Sequence, residues 1–440
     1  MRRCFRTRAA LVALASSIFS TTTACGLDRS DSVQVAVVWT GHEYELFREI
    51  VADFEAETDI PVDVISAGDN IDGFLRASDR AGTLPDIAVL PEPGLVRAYI
   101  ERDWLFPLDS ALTTRYAPFW RRLGTVGDEL YGAWVKASYK SLLWYQSSDL
   151  DQAAVPRDWE RFQDLVGELA SAAEGPAPLA IGAANAWVLT DWLENLLLAR
   201  EGTPPNLYRD LAAGEPLWCS VGVRRAFEDL AGIWGIEGAF PGGGHRARLT
   251  DFDESVVQVA GADEALLLPG SDFVRGIAGG VLDQTEAAAG LRAVELPSPT
   301  GRQPQLLGGD VAVVLRDRDA NHTLVEWLTR PGSFEPWIDA GGYFSPLLDE
   351  EGPYPDTASD RFAAAVREPE PGVAAFDLSN QLDGEVGDQI GPVLQRFFAE
   401  VAVTDRSLGE RTLAAAIDRA AGALNEAAGG IACTDPGARA

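Results

Sequence analysis

Lysine is almost missing from this 440-residue chain: Lys136 and Lys140 are the only two, and there are only three histidines. The four cysteines include no C-x-x-C pair, so with so little histidine a zinc site is not expected. Nothing after the N-terminal segment approaches the ~20 apolar residues of a transmembrane helix. The loops carry no G-x-G-x-x-G or P-loop pattern, so neither a nucleotide nor any other cofactor is expected. Internal repeats and low-complexity linkers are also lacking. Positive charge is scarce throughout, with 36 basic residues against 67 acids and a net charge of −31. So acidic a surface repels phosphate backbones and anionic lipid, which argues against nucleic acid as a partner. Hydrophobic residues nevertheless make up 46% of the chain, enough for a folded globular protein. At ~100–200 residues per domain, two or three units are expected.

The N-terminus reads as a targeting segment. Arg2, Arg3, Arg6 and Arg8 form a positive region, Ala9 to Phe19 a short apolar one, and Thr22-Thr23-Ala24-Cys25-Gly26 follows. This resembles a bacterial lipoprotein signal cleaved before Cys25, with Thr22 standing where leucine is usual. Arg2-Arg3 leaves the general secretory and twin-arginine routes both open. Loss of residues 1–24 removes four arginines and no acid, so the mature chain is more negative still. Lipidation of Cys25 would place the protein on the outer face of the cytoplasmic membrane. Cys219 and Cys433 then remain as an even pair in an oxidising compartment, and a disulfide between them is expected.

Beyond a polar tether at residues 25–32, apolar strands and amphipathic helices alternate. Val33 to Trp39 reads as a buried strand, Tyr44 to Thr58 as a helix, Ile60 to Ser66 as a strand, Phe74 to Arg80 as a helix and Pro85 to Leu90 as a strand. That order means a parallel α/β unit. Ligands of open α/β sheets bind beyond the carboxyl ends of the strands, here the loops holding Trp39, Glu43, Asp69 and Glu92. The run Tyr131 to Tyr145 is aromatic and β-branched, hence extended, and carries both lysines. Thr190 is read as the N-cap of a helix reaching Arg200.

Seven stretches together resemble a known family: Trp39 to Phe54, "LPDIAVLPEPG" (84–94), "LYGAWVKASYKSLLWY" (130–145), "WVLTDWLEN" (187–195), "GSDFV" (270–274), "GGDVAVV" (308–314) and "GGYFSP" (341–346). In order and spacing they look like the extracellular solute-binding proteins of bacterial sugar importers, the maltose-binding family, and particularly its α-glucoside branch. Asn380 stands where that branch commonly has an aspartate. The resemblance implies an α/β clamshell of two lobes with three crossings. Lobe one would take residues 33–135 and 304–344, and lobe two residues 136–303 and 345–440. It also implies a monomer that delivers a sugar to an ABC permease.

A sugar offers hydroxyls to charged acceptors and C–H faces to aromatic rings, so indoles beside carboxylates are the pattern to seek. Trp187, Asp191 and Trp192 form the best such cluster. Trp39 is either core or ligand platform, and Glu43, Asp69 and Glu92 sit on strand-end loops. Tyr139 and Lys140 fall on the crossing strand, while Lys136 is expected to face away or pair with an acid. The resemblance adds Asp272 and Phe273 over the sugar, with Asp310 and Tyr343 beside the other crossings. A membrane-tethered glycoside hydrolase would use the same residue types. So would a clamshell for a polyol or another polar solute.

Overall fold

The computed structural model describes residues 32–433 apart from 150–151, 173, 201–205, 283–289, 351, 353, 355, 383 and 404–407. The targeting segment and Cys25 therefore lie outside the described residues. Twelve strands are present among those described: β1 (Val33–Val37), β2 (Val62–Ser66), β3 (Ile87–Leu90), β4 (Thr125–Val126), β5 (Glu129–Leu130), β6 (Ala133–Tyr139), β7 (Leu142–Gln146), β8 (Ala177–Leu179), β9 (Ala265–Gly270), β10 (Leu291–Glu295), β11 (Gln305–Val314) and β12 (Ala374–Phe376).

Two sheets organise the molecule as two α/β lobes. The larger runs β12-β11-β3-β1-β2, with β6 also paired to β11; the smaller runs β10-β7-β9-β8. β1 pairs in parallel with both β2 and β3. Its crossovers are the helices Gly41–Thr58 and Ile71–Ala81. Leu46, Phe47, Ile50, Val51 and Phe54 form the buried stripe of the first helix, at the spacing of a single helical face. Asp59 ends it in the left-handed conformation at φ +58°, which a short polar side chain tolerates. All three parallel strands thus finish at one edge of the sheet, where the site is built.

The extended run of residues 131–145 serves both sheets. β6 stays in the larger sheet through Tyr139, opposite Leu307 of β11, and β7 begins the smaller sheet at Leu142. The change of sheet therefore falls at Lys140-Ser141, later than the expected division at Val135. A second difference concerns residues 345–376. β12 pairs with β11 in the larger sheet, and Phe376 packs on Trp134 at 5.3 Å. Phe362, on the helix Thr357–Arg367, packs on Tyr139 at 5.0 Å. Apolar floor left by Trp120, Trp134 and Tyr139 draws this segment to the first lobe. Only the later helices, Gly384–Ala402 and Glu410–Ala427, pack with Ala186–Ala199 and Val221–Trp234 beside the smaller sheet. Cys219 and Cys433 form a disulfide that ties the end of this bundle to its body.

Candidate functional site

Between the sheets lies a cleft of about 420 Å³. The larger sheet supplies Trp39, Thr40 and Glu43 after β1, Asp69 after β2, Pro91 and Glu92 after β3, and Asp310 from β11. Asn185, Trp187, Asp251, Phe252, Asp253 and Phe273 form the facing wall. Across the mouth, Asn185 Nδ2 donates to Asp69 Oδ2 at 3.5 Å.

The floor is β6, whose alternation decides what is offered. Lys136, Ser138 and Lys140 line the cleft. Tyr139 points to the opposite face, against Phe362. Lys136 meets Glu43 at 2.5 Å, with its ammonium 4.8 Å above the Trp337 ring. Burial pulls the lysine pKa down, but Glu43, Asp310 and Asp272 outweigh burial and leave it raised. A register shift between Asp310 and Val311 interrupts the β6–β11 ladder at this point. Asp310 there accepts from Trp39 Nε1 at 2.8 Å. Burial lifts its carboxyl to about 6, against the pull of Lys136 and the indole.

Lys140 sits where the chain changes sheets. Its ammonium bonds Asp191 at 2.9 Å and also Asp377. Burial again lowers the lysine pKa, and the two carboxylates raise it past its ordinary value. Glu194, fully buried on the same helix as Asp191, accepts from Tyr208 Oη at 2.9 Å and from the backbone N–H groups of Leu378 and Ser379. The helix Ala186–Ala199 thereby fixes the loop 377–380. Asn380 in turn donates to Pro91 O at 3.3 Å, beside the cleft.

The aromatic wall is Trp187 with Phe252 at 4.7 Å and Phe273 at 5.8 Å. Trp187 is half-buried, since it lies in the first turn of a helix that begins at Ala186 behind the N-cap Asn185. Thr190 is therefore not the N-cap. Its hydroxyl donates to Trp187 O within the helix.

Of the expected site residues, the structure brings Trp39, Glu43, Asp69, Glu92, Lys140, Trp187, Phe273 and Asp310 together around the cleft. The others do not line it, although Asp191 and Trp192 line a small pocket shared with Lys140, Trp187 and Phe252. Trp192 is core, packed edge-on between Trp159 and Trp234, because it lies on a different side of the helix from Trp187. Asp191 is buried beneath the floor, where it holds Lys140. Asp272 is buried and accepts from the backbone N–H of Tyr139 at 2.7 Å, a contact that fixes the strand. Tyr343 is buried behind β6, with its hydroxyl on Val135 O at 2.5 Å. Asp251, Phe252 and Asp253 were not anticipated, although carboxylates flanking an aromatic ring are the pattern sought. Among the described residues no group of three or more His, Cys, Asp or Glu side chains is placed to hold a metal ion. None of their helices is long and apolar enough to cross a membrane.

Residues 39–213, which include the floor, the loops after β1, β2 and β3, and Asn185 and Trp187 of the facing wall, match the family described as bacterial extracellular solute-binding protein. Over those residues the chain is similar to that family. The chain is 27% identical over 374 residues to the osmoprotective compounds-binding protein GgtB of Synechocystis sp., covering 81% of the chain and 86% of GgtB. It is 26% identical over 326 residues to the α-glucosides-binding periplasmic protein AglE of Rhizobium meliloti, covering 70% of each. In fold it is similar to the bacterial solute receptor AcbH, described as exclusive for β-D-galactopyranose. That match has a TM-score of 0.72 at 12% identity, over 89% of this chain and 97% of AcbH. These relatives are binding proteins rather than enzymes, so the hydrolase alternative is set aside.

Proposed function

We propose that the protein captures a neutral sugar, an α-glucoside or small oligosaccharide, in the interlobe cleft and delivers it to an ABC import permease. The observation that carries this reading is the pairing of apolar rings with carboxylates on facing walls. Trp187, Phe252 and Phe273 offer C–H-binding faces, while Glu43, Asp69, Glu92, Asp251, Asp253 and Asp310 accept hydroxyl protons. Charged acceptors make hydrogen bonds about twice as strong as neutral ones, which suits an uncharged ligand rich in hydroxyls. The printed specificity of AglE supports the α-glucoside.

In this account the lobes close on the ligand by bending at Lys140-Ser141 and the two later crossings, because only the closed form lets both walls touch it. Residues 33–139 and 304–344, with the helix Thr357–Arg367 and β12, move as one lobe, and residues 142–303, with the helices Gly384–Ala402 and Glu410–Ala427, as the other. Cleavage and acylation at Cys25 hold the mature monomer at the outer face of the cytoplasmic membrane. A second reading, a polyol or other polar osmoprotective solute, is favoured by the likeness to GgtB.

A thermal-shift panel of maltose, trehalose, sucrose, glucose, galactose and sorbitol tests these readings. A saturable rise with an α-glucoside, and no turnover of a chromogenic α-glucoside, is the expected result. A rise with sorbitol alone would select the second reading, and no rise with any of the six would oppose both.

A further inference from the structure

One helix of the second lobe lies against the first lobe beside the cleft. Val274–Val281 packs on the helix Phe252–Ala260, and Arg275 Nη2 donates to Leu291 O of β10 at 3.3 Å, so its own support is in the second lobe. Phe273 precedes it directly, and Phe273 and Ile277 both line the cleft. The same helix touches the first lobe at two places. One is the start of the helix Gly41–Thr58, and the other is the turn Gly341–Gly342 at the end of Glu335–Ala340, a helix itself packed on Gly41–Thr58.

Both contacts fall on glycines. A Cβ added at Gly276 would stand 3.0 Å from Gly341 O and 3.5 Å from Gly342 Cα. One added at Gly280 would stand 2.6 Å from His42 Cβ and 2.9 Å from His42 Cγ. The two positions are four apart, one above the other on a single helical face. At the adjacent Gly279 nothing lies within 4 Å of such an atom. None of the three has the positive φ that would itself call for glycine, and glycine is a poor helix former. The demand at Gly276 and Gly280 therefore comes from the facing lobe. Carbon atoms rest ~3.5–4.0 Å apart, so a methyl group at Gly280 needs roughly 1 Å of further separation. Its obstacle is the stem of the histidine, which cannot swing aside as a side-chain tip can.

We infer that Gly276 and Gly280 are positioning residues for ligand capture: in the lobe closure proposed for the sugar, their bare backbone lets this helix seat on the first lobe and brings Phe273 and Ile277 to the ligand. A methyl group at Gly280 penalises the closed form and leaves the open form alone. The penalty is paid from the binding free energy of a ligand that needs closure, and it shows chiefly as faster dissociation.

The test is calorimetric titration of the mature full-length chain with the sugar that most raises the wild-type melting temperature. Gly280→Ala should weaken binding about tenfold and speed dissociation. Its ligand-free melting temperature should be no lower than wild type, since alanine is the better helix former. Gly279→Ala should keep wild-type affinity. His42→Gly removes the opposing Cβ from a residue outside the cleft lining, so Gly280→Ala combined with His42→Gly should regain affinity, which a stiffer helix alone would not achieve. Wild-type affinity in Gly280→Ala, an equal loss in Gly279→Ala, or no recovery in the double variant would overturn the proposal. If no sugar of the panel binds, the sugar reading fails, and hydrogen exchange over residues 41–47 of the ligand-free chains decides the seam. Faster exchange in Gly280→Ala than in Gly279→Ala supports it, and equal exchange overturns it.

Discussion

Replacing Lys140 by methionine keeps the length and apolar stem of the side chain and removes only its charge. In the native protein the ammonium lies between Asp191 and Asp377, with all three side chains nearly out of solvent at 9%, 11% and 1% exposure. Glu194 lies close enough to add its own field. Lys140→Met therefore leaves two buried carboxylates facing each other, with a third nearby. Breaking a buried pair by removing one partner costs about 3–5 kcal/mol, because the remaining charge is uncompensated. For lobes of this size that is on the order of 10 °C in melting temperature. The loss should depend on pH. Asp191 titrates at about 7 even beside the ammonium, raised by burial, so the variant is relieved as its carboxyls protonate. Scanning calorimetry at pH 8 and pH 5 should show a large deficit at the first and a smaller one at the second. Lys140→Met combined with Asp377→Asn should recover part of the deficit, as coupled neighbours do. A melting temperature equal to wild type, or a deficit identical at both pH values, would refute the reasoning.

Three further outcomes follow from the structure. Burial pushes the carboxyls of Asp191, Asp272 and Asp310 up to about 7, 7 and 6, from an ordinary value of 3.8. The folded state then binds more protons than the unfolded one between those limits. Stability should accordingly fall as pH rises from about 4 to about 7, and Asp272→Asn should narrow the gap in melting temperature between pH 5.5 and pH 8. Replacing Cys219 and Cys433 by serine opens a loop of sequence separation 214 and should cost about 2–4 kcal/mol, read as a lower melting temperature without loss of ligand affinity. Small-angle scattering should show a smaller radius of gyration with a saturating sugar, and an unchanged radius would count against lobe closure.

Much of the frame was legible because it rests on local pattern. Val33 to Val37 is rich in valine and Ile87 to Leu90 is an apolar run ended by Pro91, and the helix between the first two strands shows its buried stripe at helical spacing. The strand-end loops then placed Trp39, Glu43, Asp69 and Glu92 at one edge without knowledge of any tertiary contact. What failed was facing. Thr190 has the chemistry of an N-cap, but inside a helix its hydroxyl bonds the preceding turn instead. Shifting the helix start to Ala186 puts Trp187 at the rim and Trp192 about 140° further round, in the core. Tyr139, Asp272 and Tyr343 lie on the right segments but face away from the cleft, Tyr139 against the distant Phe362, Asp272 on the Tyr139 N–H and Tyr343 on Val135 O. Asp251, Phe252 and Asp253 reach the cleft from the start of a helix far along the chain. Their aromatic–carboxylate pattern was visible, and only the topology shows that it faces Glu43 and Asp69.

The central claim is that Trp187 is a platform for a sugar ring in the cleft. Calorimetric titration of Trp187→Ala with the sugar that most stabilises the wild type tests this directly. Truncating an anchor of this kind should cost at least about 2 kcal/mol, roughly a thirty-fold loss of affinity, in protein that remains folded. Wild-type affinity in the folded variant would contradict the account.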